Sequence, residues 1–148
     1  MSAALLLASP CSAGEGPLSD LESLRWTNRI VLVLASGADA AHAKANLEAA
    51  AAGVTERDLL WFVIGEGAIA TNFPGALDSD FGRRARQRYF GAASPDDPPG
   101  GPGVVLVGKD GGVKSRSRDL DLEDLFDQID RMPMRQRELR ERDAGPPD

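Results

Sequence analysis

The sequence predicts an α/β fold in which helices cover both faces of a four-stranded mixed sheet. Three unbroken apolar runs, at residues 30–35, 59–64 and 104–107, are typical of strands that are buried on both faces. The third run leads through a glycine-bearing turn into an alternating run at 113–117, and this pattern predicts a β-hairpin. Helical patterns separate the runs, so the chain reads as strand, helix, strand, helix, strand, strand, helix.

The first half of the chain predicts two parallel strands. Residues 18–26 have apolar side chains at helical spacing, which indicates a short helix that leads Trp26 into the core. After the first strand, Asp39 is a natural N-cap for an alanine-rich helix over 40–52, which Gly53 ends. The second strand follows, and a strand, helix, strand unit of this kind is a right-handed parallel crossover.

The second half predicts the hairpin and two further helices. A glycine-punctuated loop over 65–75 leads to a helix over 78–89. Beyond a proline-rich loop, Asp110 and Gly111 supply the positive φ angles of a type I′ hairpin turn. The apolar spacing over 122–132 is the strongest helical period in the chain, and it predicts a helix that covers one face of the sheet.

This order of elements has a well-known solution, the thioredoxin-like fold. Its strand order is 2-1-3-4, with the third strand antiparallel to the first. The second strand then lies at the edge although it is wholly apolar, so either the segment at 18–26 or a second subunit is expected to cover it. We expect one domain over residues 17–142 and a disordered tail over 143–148.

The composition argues against several classes of partner. The net charge is −6, so a nucleic acid would be repelled on average. No apolar run approaches the roughly 20 residues that a membrane-spanning helix needs. Cys11 is the one cysteine, so the chain has no intramolecular disulfide and no redox pair.

Residues 1–16 allow two interpretations. They contain a short apolar core followed by small residues, with Cys11 and Ala13 at the spacing that a signal peptidase recognises, but the basic start of a signal peptide is missing. The first interpretation is a truncated secretory signal, which predicts a periplasmic or secreted protein. The second is a disordered N-terminus on a cytoplasmic protein. Cleavage after Ala13 would leave a mature chain without cysteine.

The sequence indicates no catalytic, cofactor or metal site. His42 is the one histidine and lies on the polar face of its helix, with no second histidine or cysteine to share a metal. The acidic run from Asp119 resembles the start of a calcium loop, but Asp124 occupies the position where that loop requires glycine.

Four segments resemble the family called domain of unknown function 4174. They are Trp26-x-x-Arg29, Glu56-Arg57-Asp58, Gly108-Lys109-Asp110-Gly111-Gly112-Val113-Lys114 and Ile129-Asp130-x-Met132-Pro133-Met134-Arg135-x-x-Glu138. The resemblance covers roughly residues 18–139. It implies a thioredoxin-like fold and an extracytoplasmic location, because members are mostly bacterial proteins with signal peptides. Similar domains occur in vertebrate secreted proteins with sushi repeats and in coiled-coil-domain matrix proteins. The resemblance implies no chemistry.

The favoured function is a redox-inactive, extracytoplasmic binding module. Redox-active relatives of this fold carry a cysteine pair after the first strand, where this chain reads Ser36-Gly37-Ala38-Asp39, so thiol-disulfide exchange and thiol peroxidase chemistry are argued against. Pro102 lies where the fold commonly has a cis proline, and the sequence leaves its isomer open. Ser36 and Pro102 would border a cleft at the usual active-site position of the fold, which lacks the cysteine pair here. The basic residues of the hairpin would form a rim for an acidic ligand or protein partner: Lys109, Lys114, Arg116 and Arg118.

The alternative is an enzyme without thiol chemistry. It would use Asp58, Asp110 or Arg135 for acid/base catalysis or anion binding near the hairpin. No motif supports it. Lys109 and Asp110 are explained as turn residues, and Arg135 as an ion-pair partner of helix carboxylates such as Asp130. A homodimer through the edge of the second strand is a further possibility.

Overall fold

The computed structural model describes residues 16–91, 95, 97–98 and 100–144. The candidate signal peptide therefore lies outside the described residues except for Gly16, and Cys11 lies outside them as well. The same holds for residues 145–148 of the predicted tail.

A mixed sheet of five strands runs through the structure. The strands are β1 (Arg29–Leu34), β2 (Leu59–Ile64), β3 (Ala70–Thr71), β4 (Val104–Val107) and β5 (Val113–Ser117), in the order β3-β2-β1-β4-β5. β1 and β2 are parallel, and β4 runs antiparallel to both β1 and β5. The order expected for the four predicted strands is found, but the strand count is corrected from four to five.

Helices cover both faces of this sheet, as predicted. They are α1 (Gly37–Ala49), α2 (Ala51–Glu56), α3 (Phe81–Ala85), α4 (Leu122–Asp130) and α5 (Pro133–Asp143), and a π-helical turn at Arg86–Phe90 extends α3. Successive residues of β1 point to opposite faces, because side chains alternate along a strand. Val31 and Val33 pack with α1 and α4, whereas Ile30 and Leu32 pack with α3. No helix of the described residues is long and apolar enough to cross a membrane.

The outer edge of β2 is covered by the chain itself. Ala70 and Thr71 pair antiparallel with β2, and beyond them the Asn72 side chain continues the pairing. Asn72 Oδ1 accepts a hydrogen bond from the Trp61 N–H at 2.8 Å, and Asn72 Nδ2 donates to the Leu59 carbonyl at 3.2 Å. The expectation that residues 18–26 or a second subunit would cover this edge is therefore corrected. Dimerisation through the β2 edge stays a prediction, but an uncovered apolar edge no longer argues for it.

Two predicted details of the first helix are wrong. Helix α1 begins at Gly37 with Ser36 at the N-cap, so Asp39 lies inside the helix and is not its cap. Gly53 does not end the helical region either, because it lies within α2. Its missing side chain serves packing: a Cβ there would lie 2.8 Å from Cε2 of Phe126.

Trp26 is not the core anchor that the sequence suggested. It is 62 % exposed and has a φ of +70°. Its N–H donates to the Lys109 carbonyl at 2.5 Å, so the backbone is held against the hairpin while the indole points outward. In place of the predicted helix there is a single 3₁₀ turn at Glu22–Leu24, and Leu18 and Leu21 are the buried residues of this segment.

The hairpin turn is a three-residue loop and not the predicted type I′ turn. Only Gly111 of the loop has a positive φ, +82°. Its N–H donates to the Gly108 carbonyl at 3.0 Å, and the Gly108 N–H donates to the Gly112 carbonyl at 2.9 Å. This is a type I turn followed by a glycine bulge. The Asp110 side chain completes it by accepting from the Gly112 N–H at 2.9 Å.

Replacing Asn72 by alanine is expected to destabilise the fold by about 1–2 kcal/mol, because two backbone groups at the β2 edge lose their partner. Urea unfolding followed by tryptophan fluorescence measures this. Asn46→Ala is the matched control, since Asn46 is exposed on α1. Equal midpoints for the two variants would show that Asn72 does not hold this edge.

Candidate functional site

A cleft of about 370 Å³ lies at the carboxyl end of β1. Its walls are the backbone at the end of β1, the start of β4 with Gly103, the face of α1 that carries His42, and residues 118–120 after β5. At this end the chain leaves β1 through α1 toward β2, which lies on one side of β1. Strand β4 lies on the other side of β1. Open α/β sheets commonly bind ligands at such a switch point, outside the carboxyl ends of the strands.

Of the residues predicted for a binding surface, one lines this cleft and two are neighbours of its lining residues in the chain. Arg118 lines it, Ser36 directly follows its lining residue Ala35, and Pro102 directly precedes Gly103. A hydrogen bond of 2.8 Å from the Leu34 N–H to the Gly103 carbonyl holds these two backbone segments together. The peptide bond before Pro102 is trans, since the described residues contain no cis peptide.

The structure does not bring the four predicted basic residues into one rim. Lys109 is buried at the opposite end of β4 from Arg118. The Nζ of Lys114 binds Asp110 at 2.8 Å. Arg116 Nη1 donates to the Tyr89 carbonyl at 2.8 Å and lies 3.7 Å from an oxygen of Asp97. Arg118 is thus the one of the four that lines the cleft.

The polar side chains of the cleft have no partners within the described part of the chain. Five of them line it without a side-chain hydrogen bond or ion pair: Asp39, His42, Asn46, Arg118 and Asp119. Of these five, sequence reasoning named Arg118 alone as a binding residue, and it gave His42 no role. The spacing of Asp39, His42 and Asn46 places them on one face of α1, but the sequence did not reveal what that face borders. No group of three or more potential metal ligands occurs among the described residues.

The family-like segments meet at the other end of the sheet, in a set of ion pairs that we call the motif cluster. Its members are Arg29, Glu56, Arg57, Asp58, Lys109, Asp130, Arg135 and Glu138. Among these members four cations face four carboxylates, and Arg142, which lies outside the four segments, also binds Glu56 at 3.2 Å. These residues come from the starts of β1 and β2, the hairpin turn, the end of α4 and helix α5.

One half of the motif cluster is centred on Arg135, which is 1 % exposed. Arg135 Nε donates to Asp130 Oδ1 at 3.1 Å, which confirms the predicted pairing of these two residues. Arg135 also donates to the carbonyl and to the carboxylate of Glu56, each at 3.0 Å. Arg57 binds both oxygens of Asp130, at 3.1 and 2.8 Å. Helices α4 and α5 are thereby tied to the segment before β2.

The other half is centred on Glu138. Its two carboxylate oxygens each accept a hydrogen bond of 3.2 Å from Arg29, which is 1 % exposed. Lys109 Nζ donates to Glu138 at 2.7 Å and to Asp58 at 2.9 Å. Helix α5 is therefore tied to the first strand and to the hairpin at once. Lys109 is thus more than the turn residue that the sequence suggested.

Three groups of the motif cluster, Asp130, Arg135 and Glu138, are held in their charged forms. Burial acts to raise the pKa of Asp130, but hydrogen bonds from Arg57 and Arg135 outweigh it and leave the pKa below its ordinary value. Burial likewise opposes the charged form of Glu138, and hydrogen bonds from Lys109 and Arg29 lower its pKa. The pKa of Arg135 is raised because hydrogen bonds to Asp130 and Glu56 outweigh burial. Groups held in this way stabilise the fold and exchange protons poorly at neutral pH.

Replacing Glu138 by glutamine is expected to lower the free energy of unfolding by about 3 kcal/mol near pH 7, because buried Arg29 and Lys109 lose their shared carboxylate. The control is Glu141→Gln, an exposed residue of the same helix without an ion pair in the described part of the chain. Urea unfolding of both variants measures the difference.

The same variant gives a pH dependence. The pKa of Glu138 is lower in the folded chain than its ordinary value of 4.5, so the unfolded chain takes up this proton first as the pH falls. The stabilisation by Glu138 is therefore complete above about pH 5.5 and is lost as the pH falls through the folded-state pKa. The difference between wild type and Glu138→Gln is expected to shrink in acid. A difference that stays constant down to pH 3 would contradict this role of the carboxylate.

One comparison with known proteins supports the family resemblance of the four segments that meet in the cluster. The model of one protein family, domain of unknown function 4174, matches residues 20–138, a range that contains all four segments. Neither the curated proteins nor the solved structures gave a match. Since the matched range covers well over half of the chain, this protein belongs to the domain of unknown function 4174 family.

Proposed function

We propose that this protein is a thioredoxin-like binding module that works outside the cytoplasm without thiol chemistry, with the cleft at the end of β1 as its binding site. One observation carries the proposal: polar side chains from α1 and from the end of β5 line this cleft without partners in the described structure. The motif cluster has the opposite character, because its charged groups are engaged with one another. Free polar groups that converge on a cavity are what ligand recognition requires.

The fold-level part of the proposal rests on topology. The order β2-β1-β4-β5, with β4 antiparallel to β1, is the order of the thioredoxin-like fold, and β3 would be an addition at its edge. In redox-active relatives of that fold the thiols lie where α1 begins. Here that position reads Ser36-Gly37-Ala38-Asp39, so the site has polar and small side chains in place of thiols.

Arg118 supports contact with a carboxylate of an acidic ligand or of an acidic segment of a partner protein. Asp39 and Asp119 line the same cleft and call for N–H or O–H donors beside that carboxylate. Lys109, Lys114 and Arg116 already bind carboxylates or carbonyls of this chain. Arg118 is exposed at the mouth of the cleft and has no such partner among the described residues. A guanidinium presents a planar set of donors that suits a carboxylate. The alternative, an acid/base enzyme at the hairpin, finds less support, because a hydrogen bond from Lys114 lowers the pKa of Asp110 and Asp58 is paired with Lys109.

The extracytoplasmic location rests on the sequence of residues 1–16 and on the resemblance to secreted members of the family. Sequencing the N-terminus of the protein purified from its own cells tests it. A mature chain that begins after Ala13 supports export, whereas an intact Met1 in the cytoplasmic fraction argues for the alternative.

Replacing Arg118 by glutamate is expected to weaken partner capture by about tenfold or more, because a like charge would face the acidic partner. A photoreactive amino acid at position 42 places the crosslinker on the cleft wall of the full chain. Crosslinked products are then compared in cells for the parent protein, for Arg118→Glu, and for Arg131→Glu as an exposed arginine away from the cleft. Products that survive Arg118→Glu as well as Arg131→Glu would show that the cleft does not select an acidic partner.

A disulfide-reduction assay with insulin as substrate tests the thiol part of the proposal. The purified chain is expected to give the background rate, because one cysteine cannot complete a dithiol cycle. The Cys11→Ser variant is the control. A rate above background that disappears in Cys11→Ser would contradict a binding module without thiol chemistry.

A further inference from the structure

We infer that a second binding site, for a small carboxylate with an apolar body, lies in a groove between the hairpin turn and the start of α5. This groove, called here the hairpin groove, has a volume of about 320 Å³. It lies at the end of the sheet opposite the cleft, since the hairpin turn follows β4 where β4 pairs with the start of β1. The inference is therefore independent of the function proposed for the cleft.

The wall of the hairpin groove is apolar. It is formed by Met132, Pro133 and Met134, where α4 ends and α5 begins. Both methionines are half-buried, so part of each side chain stays open to the groove. Unbranched thioether side chains adapt to ligands of varied shape, and methionine is common at such surfaces. This wall fits the hydrocarbon part of a ligand.

The opposite side of the groove is cationic. Arg29, Lys109 and Lys114 line it, and Asp110 is the carboxylate among the lining residues. Carboxylates of this chain already pair with each of these cations, so the groove offers N–H donors and not a net positive charge. Such donors favour an acceptor such as a carboxylate over an amine.

Two buried donors at this side have unused capacity. An ammonium group has three N–H donors, and Lys109 Nζ binds two carboxylates, Asp58 and Glu138. The Nε of Arg29 is buried without an acceptor in the structure. Buried donors without a partner are rare in folded proteins, and each calls for an explanation. A carboxylate in the groove would supply an acceptor for the remaining N–H of Lys109.

Size and chemistry together define the ligand class. The volume lies at the lower end of the range for small-molecule sites, so the occupant is a free small molecule and not a folded partner. An apolar wall facing cations fits a molecule with one carboxylate and a short hydrocarbon or aryl body. A purely apolar molecule would leave the remaining N–H of Lys109 without an acceptor, and a bare carboxylate would leave the methionine wall unused.

Titration of the full chain with hexanoate tests this site. The readout is the set of amide and methionine methyl signals in NMR spectra, with hexylammonium and acetate as comparison probes. Saturable shifts are expected at Lys109–Lys114 and at Met132–Met134 with hexanoate. Acetate is expected to bind at least about tenfold more weakly because it lacks the apolar body. Hexylammonium is expected to give no saturable shift there.

Two variants distinguish this groove from other surfaces. Lys114→Glu and Met134→Ser are each expected to weaken hexanoate binding by about fivefold or more, through charge and apolar contact respectively. Lys109 and Arg29 stay unchanged because they hold the motif cluster together. The matched control is Lys44→Glu, since Lys44 pairs with Glu48 across one helical turn and is exposed to a similar degree.

The variants distinguish binding in the hairpin groove from binding in the cleft. Hexanoate binding that is weakened by Lys114→Glu and unchanged by Lys44→Glu and by Arg118→Glu supports the hairpin groove. Three results would overturn it: shifts that never saturate, equal binding of hexanoate and hexylammonium, or binding that Arg118→Glu abolishes while Lys114→Glu leaves it intact. The last result would assign the ligand to the cleft instead.

Discussion

The Glu138 carboxylate joins parts of the chain that are far apart in sequence. It accepts hydrogen bonds from Arg29 at the start of the first strand and from Lys109 in the hairpin turn, and both cations are buried. Buried cations are costly without a partner, since desolvation of a charge outweighs most single contacts. The positions of helix α5, strand β1 and the hairpin therefore depend on one another.

The two ends of the sheet show how burial decides the use of polar groups. In the motif cluster, Arg29 and Arg135 are almost fully buried, so their charges must be met inside the protein. At the cleft, Asp39, His42 and Arg118 are exposed, so water can satisfy their polar groups. A closed network and an open set of polar groups can therefore occupy opposite ends of the same strands. The first fixes the fold, and the second is available for recognition.

The sequence predicted the strands because their apolar runs are continuous, and this signal depends only on neighbouring residues. It failed where the outcome depends on distant contacts. Trp26 was expected in the core, but its indole is exposed, and its backbone N–H binds the distant Lys109 carbonyl. The short strand β3 has no period to detect, because two residues are too few. The type I′ prediction for the hairpin was local and still wrong, since the loop has three residues rather than two.

The candidate site could be predicted only in part, because its residues come from segments that are far apart in the chain. Ser36 and Pro102 were expected at one cleft from the predicted fold, whereas Arg118 was expected in a rim with Lys109 and lies instead at the cleft. The partners of Lys109 could not be predicted, because Glu138 lies 29 residues away and Asp58 lies 51 residues away in the chain. Pairing over such distances leaves no local pattern. The four family-like segments looked like separate motifs in the sequence, and only the fold shows that they supply members of one cluster.

Backbone strain at the motif cluster supports its structural role. Trp26 and Asp58 are the non-glycine residues with positive φ in the described chain, at +70° and +50°. Each left-handed residue costs roughly 1–2 kcal/mol, so other contacts must hold it. The N–H of Trp26 is bound by the Lys109 carbonyl, and the Asp58 carboxylate is bound by the Lys109 ammonium. Lys109 thus holds both strained residues while it binds Glu138. Because the wall of the hairpin groove belongs to the helix that Glu138 anchors, the same network that offsets this strain also shapes the groove.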